Sequence, residues 1–245
     1  ILFLLLMPLF AERMEAPIGW GDFQMGLVNN GRTHWEEPMK AALNEPSGKY
    51  QIDRKYAYIA DTNDVKSYWG RDGGAIKNWS KNEFYTEKNV GNAIVIYMLQ
   101  KGGDSFSIIS SNSKDSTWMT EYFRYIGLIV DSTKGSEINP VYVIEPDVWT
   151  YVLQKTREEN QHATTFEEVS NNHLDDFCHI NDLGYPWLEE FDNRLGDLPG
   201  AIMKTIKVHD PRAYAGILIG FWGWRPTGAS TIGYFDDTSE KIADG

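Results

Sequence analysis

Hydrophobic runs and polar breaks alternate along the chain in a way that predicts strands joined by helices. Ala93-Ile94-Val95-Ile96-Tyr97-Met98-Leu99 is nearly continuous in apolar residues and closes on Gln100-Lys101-Gly102-Gly103. That is the pattern of a strand buried on both faces. With Ser116 as N-cap, Trp118, Met119, Tyr122, Phe123, Tyr125, Ile126 and Ile129 recur at spacings of three and four, which predicts an amphipathic helix ending near Ser132. Val141-Tyr142-Val143-Ile144 then runs into Glu145 and Pro146. Proline has no backbone N–H, so the ladder stops there. A helix between two buried strands is a β-α-β unit, and such units make parallel sheets.

The other elements are shorter. Residues 19–28 read as a strand closed by Asn29-Asn30-Gly31, residues 36–43 as a short helical piece, and residues 55–61 as a Tyr-rich strand ended by Asp61-Thr62-Asn63-Asp64. Residues 65–89 predict a long loop with one short helix, a length that in compact domains is usually functional. Residues 150–159 and 199–208 predict helices, and residues 160–200 a polar, acidic connection with a turn at Gly184-Tyr185-Pro186-Trp187. Residues 215–224 predict another buried strand ending in indoles, and a helix starts at 237–243. About five strands end at turn signals, whereas a closed parallel barrel has eight. The expected fold class is α/β: a TIM-type (β/α) barrel, incomplete, with its C-terminal part missing. An open sheet is the alternative.

Length and composition narrow this further. A chain of 245 residues that is 42% hydrophobic suits one domain, expected over residues 16–245. Residues 1–15 begin ILFLLLMPLF, too short to span a bilayer but of the length of a signal-peptide core. They read as a clipped export signal, with a buried terminal strand or helix as the competing reading. A secreted protein, free of the membrane after signal removal, is expected. A formal charge of −12 disfavours nucleic acid and anionic membranes as partners, and a neutral or cationic ligand fits better. Cys178 is the only cysteine, so no intrachain disulfide forms.

Candidate chemistry lies in the carboxylates at strand ends: Asp22, Asp61, Glu145 and Asp147. In parallel α/β sheets that rim is where ligands bind. If the extended geometry persists through Pro146, Val141, Val143, Glu145 and Asp147 share one face. Glycoside hydrolysis needs two carboxyl groups flanking the scissile bond, which makes Glu145 and Asp147 the candidate acid/base residues. Asp147 also stands where it can cap the next helix. Glu145, if buried without a partner, costs several kcal/mol and so requires a cation or a wet cavity.

Aromatic residues make up 13% of the chain, many in stretches without a burial period. Tyr58, Trp69, Tyr97, Trp149, Trp222 and Trp224 are candidate platforms for sugar rings, against ordinary core packing for each. His173, Cys178, His179, Asp175, Asp176 and Asp182 have metal-ligating types but match no zinc or EF-hand spacing. No phosphate-cradling glycine loop occurs. Neither a metal nor another cofactor is expected.

Val143-Ile144-Glu145-Pro146-Asp147, ending a buried strand before a helix, resembles the IEPDSL-type motif of glycoside hydrolase family 6 cellulases. Here Val148-Trp149 stands where that family has Ser-Leu. The resemblance implies a distorted barrel with a glucan cleft that the two carboxylates line. That family's principal acid sits in an aspartate-rich motif that does not occur after Leu99. More broadly, Gly26-Leu27, Tyr56 to Ile59, Tyr97-Met98 and Glu145 to Trp149 are similar to the strand ends of secreted bacterial glycosidase-like barrel proteins. Together these resemblances imply a secreted glycoside hydrolase-like protein acting on a β-linked polysaccharide or oligosaccharide, such as cellulose or another β-glucan. A non-catalytic glycan-binding barrel and a structural surface protein are the alternatives.

Overall fold

The structure, a computed structural model, describes residues 26–28, 40–44, 46, 54–59, 74–136, 138–159 and 172–217. Five strands, β1 (Gly26–Val28), β2 (Arg54–Ile59), β3 (Gly91–Ile96), β4 (Val141–Ile144) and β5 (Tyr214–Ile217), form one sheet in sequential order. Every neighbouring pair is parallel. The α/β class and the parallel sheet expected from the pattern are both present.

Register explains why the strands read as apolar. Ile59, Ile96, Ile144 and Ile217 form one row across the sheet, and Ala57, Ile94, Tyr142 and Ala215 form the row below it. Both rows point to the same face, since side chains alternate with period two. On β2, β3 and β4 these residues are fully buried in a core shared with helical residues. The helices are α1 (Gly74–Ser80), α2 (Glu83–Glu87), α3 (Phe106–Ser113), α4 (Ser116–Thr133), α5 (Val148–Glu159) and α6 (Leu198–His209). The opposite face carries Tyr56, Tyr58, Val141 and Val143, all half-buried.

The longest helix, α4, buries Met119, Tyr122, Phe123, Ile126, Ile129 and Val130, the stripe its spacing predicts. Each such side chain stabilises the fold by roughly 1.5–3 kcal/mol relative to exposure. Its N-cap is Asp115 rather than Ser116: the carboxylate accepts from Trp118 N at 3.0 Å. Charge at a helix N-terminus adds to the hydrogen bond. Against α6, Gly127 leaves room for the His209 ring, which a Cβ would meet at 2.8 Å. His209 Nδ1 in turn lies 3.0 Å from Asp131 on α4.

Several boundaries differ from expectation. The strand expected at 93–99 stops at Ile96, and the described part of the strand at 55–61 belongs to β2, with residues 60–61 outside the described residues. Within the stretch expected to be mostly loop at 65–89, residues 74–87 carry α1 and α2. Helix α3 was not predicted, because Phe106, Ile108 and Ile109 are its only large apolar residues. The described part of the strand at 215–224 is exposed at Gly216 and Ile217, not buried, since among described residues β5 pairs with β4 alone. No helix among the described residues is long and apolar enough to cross a membrane. The expected signal segment, and the strand at 19–28 before Gly26, lie outside the described residues, as does the helix at 237–243.

Candidate functional site

Because β3 and β4 are parallel neighbours, the segments leaving their C-terminal ends start side by side. The ladder continues one residue past each strand: Tyr97 N donates to Ile59 O at 2.8 Å, and Glu145 N to Ile96 O at 2.7 Å. The chain then turns at both places. Tyr97 leads into the turn 98–103, and Glu145 into α5.

Glu145 does not continue the strand. Its φ is +42°, the left-handed region, which costs a non-glycine residue roughly 1–3 kcal/mol. The turn breaks the alternation that would have put Glu145 with Val141 and Val143. Its side chain is fully buried, and Oε1 accepts from Met98 N (2.9 Å), Leu99 N (3.1 Å) and the Tyr122 hydroxyl (2.9 Å). Oε2 is buried with no hydrogen-bond partner among the described residues. Burial pushes the carboxyl up to about 7, against the three donors, which lower it. Among the described residues no cation pairs with it, and the carboxyl is accommodated by its three donors while burial favours the protonated form. Tyr122 is pushed well up by its own burial and by Glu145.

Asp147 takes the other direction. It stands at the cap position of α5, where Tyr151 N donates to its backbone oxygen at 3.0 Å, and it is half-buried. Its Oδ2 accepts from the Tyr97 hydroxyl at 3.1 Å, and Asp104 Oδ1 lies 3.2 Å from the same hydroxyl. With the Gln100 amide nitrogen facing Asp104, it donates to Asp104 Oδ1 at 2.9 Å and to the Tyr97 oxygen, and its oxygen accepts from Val148 N at 3.2 Å. That orientation gives each donor one acceptor and leaves the Tyr97 proton for Asp147. Burial pushes Tyr97 upward, reinforced by Asp147 and Asp104. The Tyr58 ring lies 5.3 Å from the Tyr97 ring, tilted by 34°, and is pushed up by burial, Tyr56 and the nearby carboxylates.

Of the residues singled out in the sequence, Tyr58, Tyr97 and Asp147 come together here, with Glu145 directly beneath them on the helix side. Trp149 does not join them: it is 4% exposed and packed in the core, because α5 begins at Val148 and turns the indole inward. Asp22, Asp61, Trp69, Trp222 and Trp224 lie outside the described residues. Gln100, Asp104 and Tyr122 were missed. Asp104 was accessible to the same reasoning, since it closes the Gly102-Gly103 turn after a buried strand; Tyr122 looked like core, and is core.

The His and Cys residues of 173–179 do not converge. His173 lies between Asp176 (3.0 Å) and Glu159 (2.9 Å), while His179 pairs with Asp182 at 2.6 Å. The Cys178 thiol is buried, and burial pushes it up, with Asp182 adding to the shift. No group of three or more metal-ligating side chains occurs among the described residues.

No protein-family model, curated protein or solved structure matches the chain.

Proposed function

We propose that the chain belongs to a (β/α)-barrel protein that takes a β-linked glycan at the C-terminal rim of its sheet, with hydrolysis by a carboxylate pair as the favoured activity. Sequential parallel strands with a helix-packed core on one face support the barrel, since a singly wound sheet of this order curls toward closure. The apolar run at 1–10 supports export. One observation carries the functional reading: Asp147 and Asp104 converge on the Tyr97 hydroxyl beside the Tyr58 ring. Carboxylates and hydroxyls hydrogen-bond sugar hydroxyls, and tyrosine rings stack on sugar faces.

The pair also suits acid/base work better than Glu145 does. Asp104 is exposed and Asp147 half-buried, whereas Glu145 presents no atom to solvent. Asp147 accepts the Tyr97 proton and Asp104 Oδ1 lies 3.2 Å from the same hydroxyl, so the two carboxylates flank one point on the rim, as hydrolysis by a carboxylate pair requires.

Release of reducing ends from soluble β-glucan, with retention on insoluble glucan measured in parallel, tests the proposal. Asp147→Asn should lower release by roughly 10²–10⁴-fold, the usual size of an acid/base contribution, with retention kept. Absence of both release and retention for the unaltered protein sinks the reading. A second reading, glycan binding without turnover, is favoured by the Tyr97 hydroxyl itself, which fills the space between the two carboxylates that a scissile bond needs. Retention without release selects it.

A further inference from the structure

We infer that Glu145 is a positioning residue, the clamp that sets the Tyr97–Gln100–Asp104 segment against Asp147, and not the acid that its place at a strand end suggests. The inference rests on the reading of that rim as the glycan site, although the clamp itself is a matter of geometry.

Four bonds made by one residue carry it. Through Oε1, Glu145 accepts from Met98 N and Leu99 N, the two residues that follow Tyr97, and so fixes the direction in which the chain leaves β3. The same oxygen accepts from the Tyr122 hydroxyl, which anchors the turn to α4 in the middle of the core. Its backbone oxygen accepts from Val148 N at 3.2 Å, so the first turn of α5, with Asp147 at its start, is held to the same residue. Val148 N also faces the Gln100 side-chain oxygen. The two segments that carry the rim groups are therefore joined through Glu145 and Gln100 on one side and through Tyr97–Asp147 on the other.

A left-handed φ at a residue with a side chain is retained where the surroundings over-determine it, and here three donors converge on one oxygen. The strain has a purpose under this reading: only by leaving the extended path does the carboxyl reach beneath the Tyr97 turn and release Asp147 toward the opposite face. Burial, which favours the protonated form, suits a clamp that works as an acceptor at Oε1 and needs no charge. The titratable groups that face it are Tyr122 from α4, with Cys178 beyond it, and Tyr58 from β2.

The distinction has a direct test, because a clamp and an acid respond oppositely to amide replacement. Glu145→Gln keeps an acceptor oxygen at the same place; Glu145→Leu keeps volume and removes it. With ring-labelled tyrosine, the Tyr97 Cζ resonance, assigned through Tyr97→Phe, reports its hydrogen bond to Asp147 without any glycan. The clamp predicts that Glu145→Gln leaves that resonance and the slow exchange of the Met98 and Leu99 amides unchanged. It also predicts that this variant retains glycan binding and release within about threefold. Glu145→Leu should shift the resonance and expose both amides, while exchange in α4 at Ile126 and Ile129 stays slow. Should Glu145→Leu not fold, Tyr122→Phe removes one of the three donors, and a smaller shift at Tyr97 is expected.

Loss of release in Glu145→Gln with an unmoved Tyr97 resonance overturns the clamp in favour of the acid. An unmoved resonance in both Glu145→Leu and Tyr122→Phe overturns it outright. If the unaltered protein neither binds nor cleaves glycan while Glu145→Leu displaces Tyr97, the glycan reading fails and the clamp stands.

Discussion

Two regions of this molecule have similar ingredients and opposite construction: the rim at 97–104 and 145–151, and the wedge at 172–197 between α5 and α6. Both are rich in carboxylates, amides and rings. In the wedge these groups satisfy one another. Asn193 Oδ1 accepts from Ile180 N (2.8 Å) and Asn181 N (2.9 Å), Asn181 Nδ2 donates to Phe191 O (2.7 Å), and Asp197 Oδ2 accepts from Asp192 N (2.8 Å). Its rings are structural too: Tyr185 donates to Thr120 O, and the Trp187 indole to Thr205. The rim instead holds a strained backbone at Glu145 and that residue's buried Oε2, which has no partner among the described residues. Unmet polarity and strain concentrate at sites that do something other than hold the fold. Composition alone does not separate the two regions; satisfaction of hydrogen bonds does.

The comparison breaks most easily at Glu145, through pH. In the folded protein its carboxyl keeps its proton up to about 7, against an ordinary value of 4.5. Between those values the folded state binds more protons than the unfolded state, so raising the pH favours unfolding. The contribution is full below pH 4.5 and is lost as pH rises through 7, by about 3 kcal/mol at 1.36 kcal/mol per unit. Urea midpoints of the unaltered protein and of Glu145→Gln, measured from pH 4.5 to 8, isolate it, because other titrating groups cancel in the difference. A difference that does not change with pH shows that Glu145 ionises as freely in the fold as outside it.

The next largest effect should come from the wedge. Asn193→Ala leaves two backbone donors at Ile180 and Asn181 without their acceptor, and Ile180 is buried. A loss of about 2–3 kcal/mol is expected, of the order of unsatisfied buried donors. Thermal denaturation should show it, while Tyr97 and glycan retention stay as they were. If retention falls with stability, the two regions are coupled and the contrast drawn between them is wrong.

How much of this was legible in the sequence follows from what holds each part. Strands β2 to β4 and helix α4 are held by apolar burial at fixed periods, and the pattern of Ile94, Ile96, Tyr122 and Ile126 displays it directly. The wedge is held by side chains bonding to backbone far along the chain, as Asn193 does to Ile180 and Tyr185 to Thr120, and such bonds leave no period. The sequence therefore showed only a polar, acidic connection with a turn at 184–187. At the rim, Glu145 precedes a proline, which ordinarily favours extended backbone. Tertiary donors from Met98, Leu99 and Tyr122 override that local preference, so the break in alternation could not be read from neighbours in sequence. Asp147 was more legible: its place at the start of the helix was read from the sequence, while its carboxylate's bond to the Tyr97 hydroxyl, 50 residues away, was not.

The smallest effect sharpens the comparison from the side of the rings. Trp187 is half-buried; its indole N–H donates to Thr205 Oγ1 at 3.1 Å, and its ring meets Tyr185 at 5.1 Å and the His209 imidazole at 5.8 Å, edge to face. Thr205 is fully buried and already donates to Ala201 O at 2.9 Å. Trp187→Phe therefore removes one donor from an oxygen that keeps its own bond, while the smaller ring still covers His209. The expected loss is about 1 kcal/mol, the net value of a single neutral hydrogen bond. Tyr58→Leu, by contrast, touches none of these packing contacts and removes a ring from the rim. It should leave the denaturation midpoint nearly in place and weaken retention on insoluble glucan several-fold, as loss of a stacking contact worth about 1 kcal/mol does. Measured together, the two substitutions assign each ring to fold or to ligand; a Trp187→Phe variant that loses retention but not stability would exchange the roles of the two regions.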